Sequence, residues 1–169
     1  MKWNQNKMNN HLSSLLSLFN KRTKLLEKYS ANISSIIDDV ENDRIDRLDT
    51  YSAKNEDVIE ALKSLDAEAE RIIQSLSPEQ SNTIQLLVQQ KLNKSECPQW
   101  AKELYDAIDR FHKQLDTSVK LNRDCAEIMK TVMEQTKEDI VKSNQSNNVY
   151  NYYLSLNQSN SGIVLDIKE

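Results

Sequence analysis

The chain has 169 residues, one glycine, two prolines and a formal net charge of −4. So few turn residues exclude an all-β fold, which needs one every 8–12 positions or so, and the length suits a single domain. Charges of both signs are mixed along the chain, and the densest basic group is Lys21, Arg22 and Lys24, read as a solvated helix face. Nothing in that pattern points to nucleic acid.

The N-terminus carries Lys2 and Lys7 ahead of a short apolar stretch, a faint imitation of a signal peptide. The stretch is broken by serines, lacks a small-residue cleavage site and runs into a heptad pattern, so it reads as the first helix of a cytoplasmic protein. No segment approaches the ~20 apolar residues of a membrane span. The heptad pattern is Leu12, Leu15, Phe19, Arg22, Leu26, Tyr29, Ile33, Ile36 and Val40. Its alternating steps of three and four are those of a coiled-coil seam, with Arg22 the one residue against the rule. Leu16, Leu25 and Ile37 widen the stripe.

The phase slips after Val40. The next apolar positions are Ile45, Leu48, Tyr51, Val58, Leu62, Leu65, Ala69, Ile72 and Leu76. Asn42 and Asp43 lie in the gap, and such residues favour caps and turns. The spacing predicts an αα-hairpin here. One unbroken helix with a stutter is the alternative, but it would leave a long apolar stripe exposed.

Ser77-Pro78-Glu79 predicts a helix start: a capping serine, proline in the first turn, then an acid at the positive helix end. Ile84, Leu87, Val88 and Leu92 make a short amphipathic patch, and Asn93 to Pro98 ends it. The last stripe is Trp100, Leu104, Ile108 with Ala107, Phe111, Leu115, Val119, Asn122, Cys125, Met129, Val132, Thr136 and Ile140. That is roughly 60 Å of helix at 1.5 Å per residue. Asn122 within it reads as a buried, register-setting asparagine.

Beyond Ile140 the chain turns rich in Asn and Ser and holds the only glycine, Gly162. The polar parts are expected to be flexible. Apolar islands at Val149–Leu156 and Ile163–Ile167 are too short to fold alone. The reading is therefore an all-α fold, an antiparallel long-helix coiled-coil bundle of three long helices plus a short connecting helix (1–144), followed by a flexible or docked C-terminal tail (145–169).

No catalytic constellation is legible. His11 and His112 lack metal-ligand neighbours, and His112 reads as a surface residue. No inward-facing Glu-x-x-His pair suggests a di-iron bundle, and one glycine cannot build a phosphate cradle. Asp38-Asp39 and Glu68-x-Glu70 read as solvated faces. Cys97 and Cys125 form no metal or redox motif; Cys125 is expected in the core and Cys97 at a helix entry. Neither enzyme activity, cofactor nor metal is expected, and what remains is binding of other proteins.

The order of elements resembles a known family. The residues that carry the likeness are the Val40-Glu41-Asn42-Asp43 turn, a second helix with Leu48, Lys54, Leu62, Leu65 and Asp66, and a long helix containing Asn122-Arg123. A Tyr/Asn-rich tail then closes in Val164-Leu165-Asp166-Ile167-Lys168. This layout looks like that of the FlgN-type flagellar export chaperones, over most of the chain from Leu12 on. The tail departs from that pattern in its extra Asn and Ser and its terminal glutamate.

The resemblance implies a cytoplasmic chaperone that binds hook-filament junction proteins through their C-terminal helices and delivers them to the export apparatus. By that analogy the binding residues are Val149, Tyr150, Tyr152, Tyr153, Leu154 and Leu156, with Ile163, Val164 and Leu165. Tyrosine suits the role because it offers large contact area for little lost rotamer freedom. The same residues could instead pack on the chain's own bundle. A FliT-type chaperone of another flagellar substrate and a structural coiled-coil oligomer are the alternatives. Both a monomeric bundle and a homodimer are compatible with the helix count.

Overall fold

A computed structural model describes the backbone of residues 2–160 and the side chains of residues 8–151. Four helices account for most of it: α1 (Lys2–Glu41), α2 (Leu48–Gln74), α3 (Pro78–Val88) and α4 (Lys102–Asn160). No strand occurs among the described residues. The fold is all-α, with long helices and one short connecting helix, as the spacing predicts. The chain divides into two compact units, Met1–Ala126 and Glu127–Glu169.

In the first unit, the α1 seam is buried where the 3–4 pattern places it, at Leu15, Phe19, Leu26, Ile33, Ile36 and Val40. α2 runs antiparallel to α1: Arg22 pairs with Asp66, and further along Asn32 donates to Asn55 at 2.9 Å. α4 runs parallel to α1. Arg110 donates to Asn20, Ser118 to the Leu26 carbonyl, and Tyr29 to Asn122, so both numberings advance together.

The α1–α2 connection is a hairpin and not a stutter. Asp43 takes a left-handed conformation with φ of 57°. Its N–H donates to Val40 O, and Arg44 N–H donates to Asp39 O at 2.7 Å. Those two bonds close a helix C-terminus in the Schellman manner, usually with glycine at the left-handed residue; aspartate is among the few others that tolerate it. Arg44 locks the turn by reaching both Asp38 and the buried Asp39. Asp39 is therefore no solvated carboxylate, and its second oxygen has no protein partner. Ile45 falls in a 3-10 turn and is 66 % exposed, so it leaves the α2 stripe. The vacant seam step between Tyr51 and Val58 is filled by Asn55, which is buried.

α3 starts as the Ser77-Pro78 signal requires. Ser77 accepts from Gln80 N–H and the Gln80 side chain accepts from Ser77 N–H, a complete capping box. Ile84 and Leu87 bury against Leu15, Leu18, Ala69, Leu104 and Ile108 in the main core. The helix ends in a second Schellman-type closure at Gln90, with φ of 56°. His112 on α4 donates from Nε2 to the Val88 carbonyl at 3.0 Å, satisfying a helix-end acceptor. His112 is thus half-buried and structural, not a surface residue. Cys97 stands at a helix entry, directly before the Pro98 cap of the turn that leads into α4, and is part of the core; burial pushes the thiols of Cys97 and Cys125 up.

In the second unit α4 continues without a break past position 144 to Asn160. The backbone of 145–160 is helical, where the composition pointed to flexible polar chain. Ile163, Val164 and Leu165 lie outside the described residues.

Candidate partner-binding surfaces

The first unit holds a built apolar groove. Its floor is Leu26 and Tyr29 of α1; Ile59 and Leu62 of α2 form one wall, and Leu115 and Val119 of α4 the other. Ser118, Asn122 and Arg123 add its polar edge, and its volume is about 330 Å³. Ile59 and Val119 are 40 % and 43 % exposed, unusual for branched aliphatics inside a helix bundle. The groove exists because α3 is short. On α4 the face beside α3 steps through Tyr105, Ile108 and His112, and the same 3–4 spacing continues through Leu115, Val119 and Asn122 into the groove. α3 ends at Val88, level with His112, so no helix covers the lane beyond it.

Arg22 closes the core above this groove. Its guanidinium lies 4.1 Å from the Phe111 ring centre and 4.9 Å from that of Phe19, and the two rings meet edge to face at 5.8 Å. One guanidinium nitrogen pairs with Asp66 at 2.6 Å, while Nε is buried without a partner. Burial pulls the Arg22 pKa down, and Asp66 opposes this only in part. Arg22 is therefore an inward-facing seam residue and not part of a solvated basic face. Its neutral alternative is inaccessible at any ordinary pH, so the group supplies packing and charge, not proton transfer.

Asn122 is exposed rather than buried, though it accepts a 3.0 Å hydrogen bond from Tyr29. The polar residues that do sit in the seams are Asn55 and Ser118. Ser118 shares a 2.8 Å contact with Ser30 and donates to the Gln114 carbonyl. Among the described residues no cluster of His, Cys, Asp and Glu is placed to hold a metal, and no helix is long and apolar enough to cross a membrane.

In the second unit every described side chain from Met133 to Asn151 is exposed. Met133 is exposed by 69 %, Ile140 by 56 %, Val149 by 55 % and Tyr150 by 63 %. Of the residues expected to bind a partner, Val149 and Tyr150 thus stand on an open helix face. Tyr152, Tyr153, Leu154 and Leu156 continue the same helical backbone, and their side chains lie outside the described ones. The groove residues Leu26, Tyr29, Ile59 and Val119 were not singled out as a site. They come from three distant segments; Leu26, Tyr29 and Val119 each read as ordinary stripe residues, and Ile59 lies beside the α2 stripe rather than on it.

No family model matches the chain, and no curated protein or solved structure shows significant similarity to it.

Proposed function

We propose that this chain is an export chaperone of the FlgN type. It holds hook-filament junction proteins by their C-terminal helices in the cytoplasm and passes them to the flagellar export apparatus. One observation carries the reading: α4 runs on to Asn160 with no described side chain buried after Val132. Between Ser143 and Asn160 it contains six asparagines and four serines. Each costs about 0.5 kcal/mol relative to alanine in a helix, or about 5 kcal/mol together. A helix so composed gains stability from packing of its apolar residues and not from propensity. Val149, Tyr150, Tyr152, Tyr153, Leu154 and Leu156 supply that packing when a partner helix arrives.

Junction subunits must stay apart until exported, and their coiled-coil ends self-associate when bare. Covering ~500 Å² of apolar surface contributes about 12 kcal/mol before ordering costs are subtracted. The 3–4 apolar spacing of α4 also suits a protein that only oligomerises, which is the second reading.

Calorimetry against the C-terminal helices of the junction proteins tests the proposal, using the full chain and the chain cut after Asn144. The full chain should bind at micromolar strength or tighter, and the cut chain should not bind while melting like the parent. Absence of binding by both forms sinks the chaperone reading and favours the oligomerising one.

A further inference from the structure

Among the described residues of the first unit, Ile45, Ile59 and Val119 are the large apolar side chains that stand exposed. Two of them line the groove. The third, Ile45, projects from the α1–α2 connection. An apolar residue at such a junction usually serves a helix end, at C″ of the first helix or at N′ of the second. Here Asp43 is the left-handed residue, so C″ is Arg44, and the residue capping α2 is Arg47, so N′ is Asp46. Ile45 does neither job. Its backbone is nonetheless held, by the 3-10 turn Ile45–Arg47 and by Arg44, which anchors the turn to Asp38 and Asp39. The result is a fixed apolar knob on one part of the unit and an open apolar groove on another.

We infer that the knob of each chain seats in the groove of a second copy, giving a two-fold dimer held by the first units. The groove has the matching chemistry. Leu26, Ile59, Leu62, Leu115 and Val119 supply its apolar lining, and Arg123 stands at its edge. Three residues per turn of 3-10 helix send Ile45, Asp46 and Arg47 in three directions, so one acid and one base flank the knob. Asp46, Arg47 and Arg123 make no ion pair among the described residues. Asp46 beside Arg123 is attractive and Arg47 beside it repulsive, so charge fixes which way the knob sits.

The spacing permits both contacts at once. Ser118 reaches the Leu26 carbonyl, which sets the groove wall at Val119 level with Leu26. Ile45 lies beyond the end of α1 at Glu41. Knob and groove are therefore about 20 Å apart along the bundle. An antiparallel two-fold pairing carries each knob to the other chain's groove, and such closed dimers are the commonest assemblies of identical chains. Each contact is small beside the ~800 Å² per partner of a standard interface, so the dimer is weak and reversible.

The inference stands apart from the chaperone reading, because the purified full chain alone tests it. A chain that dimerises this way but binds no export substrate sinks that reading and keeps this one. Sedimentation equilibrium should show the mass rising from 19.6 kDa toward twice that value, over a range of roughly 10 µM to 1 mM. Ile45→Glu should weaken the dimer by on the order of a hundredfold, since both contacts carry the change. Ile45 is exposed, so the variant should keep the parent's helicity and melt. Asp46→Arg and Arg123→Asp should each weaken the dimer by about tenfold, and the two together should restore most of it.

Cysteine trapping identifies the contact. Ile45→Cys chains mixed with Val119→Cys chains should form a disulfide heterodimer on oxidation. Either variant alone should stay monomeric on a non-reducing gel, because equal positions lie about 20 Å apart across the two-fold axis, beyond any disulfide. The parent, with its buried Cys97 and Cys125, should stay monomeric there too. A monomer throughout the range, a dimer indifferent to Ile45→Glu, or charge reversals that fail to compensate each other would each overturn the inference.

Discussion

Two stretches of α4 share one helix and one 3–4 rhythm, yet their side chains fare differently. Between Lys102 and Ala126, Leu104, Ala107, Ile108, Phe111, Ser118 and Cys125 are buried. Between Met133 and Asn151 every described side chain is exposed, the apolar ones included. Periodicity therefore specifies a face and not its occupant. In the first stretch the occupants are α1 and α3 of the same chain; in the second no described residue covers the face. Local composition follows the same divide, since the second stretch is filled with asparagine and serine that disfavour an isolated helix.

The sharpest way to break this comparison is the same kind of substitution on each side. Ile108 is 2 % exposed within the main core. Ile108→Asp places an unpaired carboxylate there and should destabilise the first unit by several kcal/mol, about 4. Ile140→Asp, measured at sub-micromolar protein so that any dimer is dissociated, should change stability by less than ~0.5 kcal/mol. Thermal melts followed by the half-buried Trp100 report both. Equal effects would mean that the second stretch is packed after all.

A smaller effect separates polar residues on the two stripes. Arg22 interrupts the α1 stripe but is held between Phe19 and Phe111. Arg22→Ala should cost about 2 kcal/mol, chiefly lost ring contact and stem packing. Asp66 is about half exposed and remains solvated, so the ion pair adds little. Arg22→Met keeps the stem and should recover roughly half of the loss. Thr136 likewise interrupts the α4 stripe, but its hydroxyl bonds only the Val132 carbonyl four residues back. Thr136→Ala should be neutral or slightly stabilising, because alanine is the better helix former. Urea titrations of the three variants rank them.

The same divide explains what could be read in advance. The α1 seam, the Asn42–Asp43 hairpin and the Ser77-Pro78 helix start each carry a local signal, namely a period, a phase slip and a capping motif. Asn55, Asp39 and His112 carry none. Their burial depends on Asn32, Arg44 and the Val88 carbonyl, and nothing local announces those pairings. Asn122 shows the reverse error: position on the stripe suggested burial, but the lane beside it is empty. Of the candidate site, Val149 and Tyr150 were legible as apolar residues in a polar tract. The groove was not, because it exists only where α3 stops short.

The mildest test asks whether propensity matters only where packing does not decide. Asn144 and Asn148 are exposed and off the 3–4 seam, one turn apart. Asn144→Ala with Asn148→Ala should favour helix by about 0.5 kcal/mol at each site. Far-ultraviolet circular dichroism should record added helicity while the melt of the first unit stays fixed. In the packed stretch the same exchange should act the other way. Asn122→Ala removes the acceptor of the Tyr29 hydroxyl. Because both groups stay within reach of water, the loss should be at most about 1 kcal/mol, against a propensity gain near 0.5. If all three alanines raised helicity alike, the Tyr29–Asn122 bond would contribute nothing, and the two stretches of α4 would differ in exposure alone.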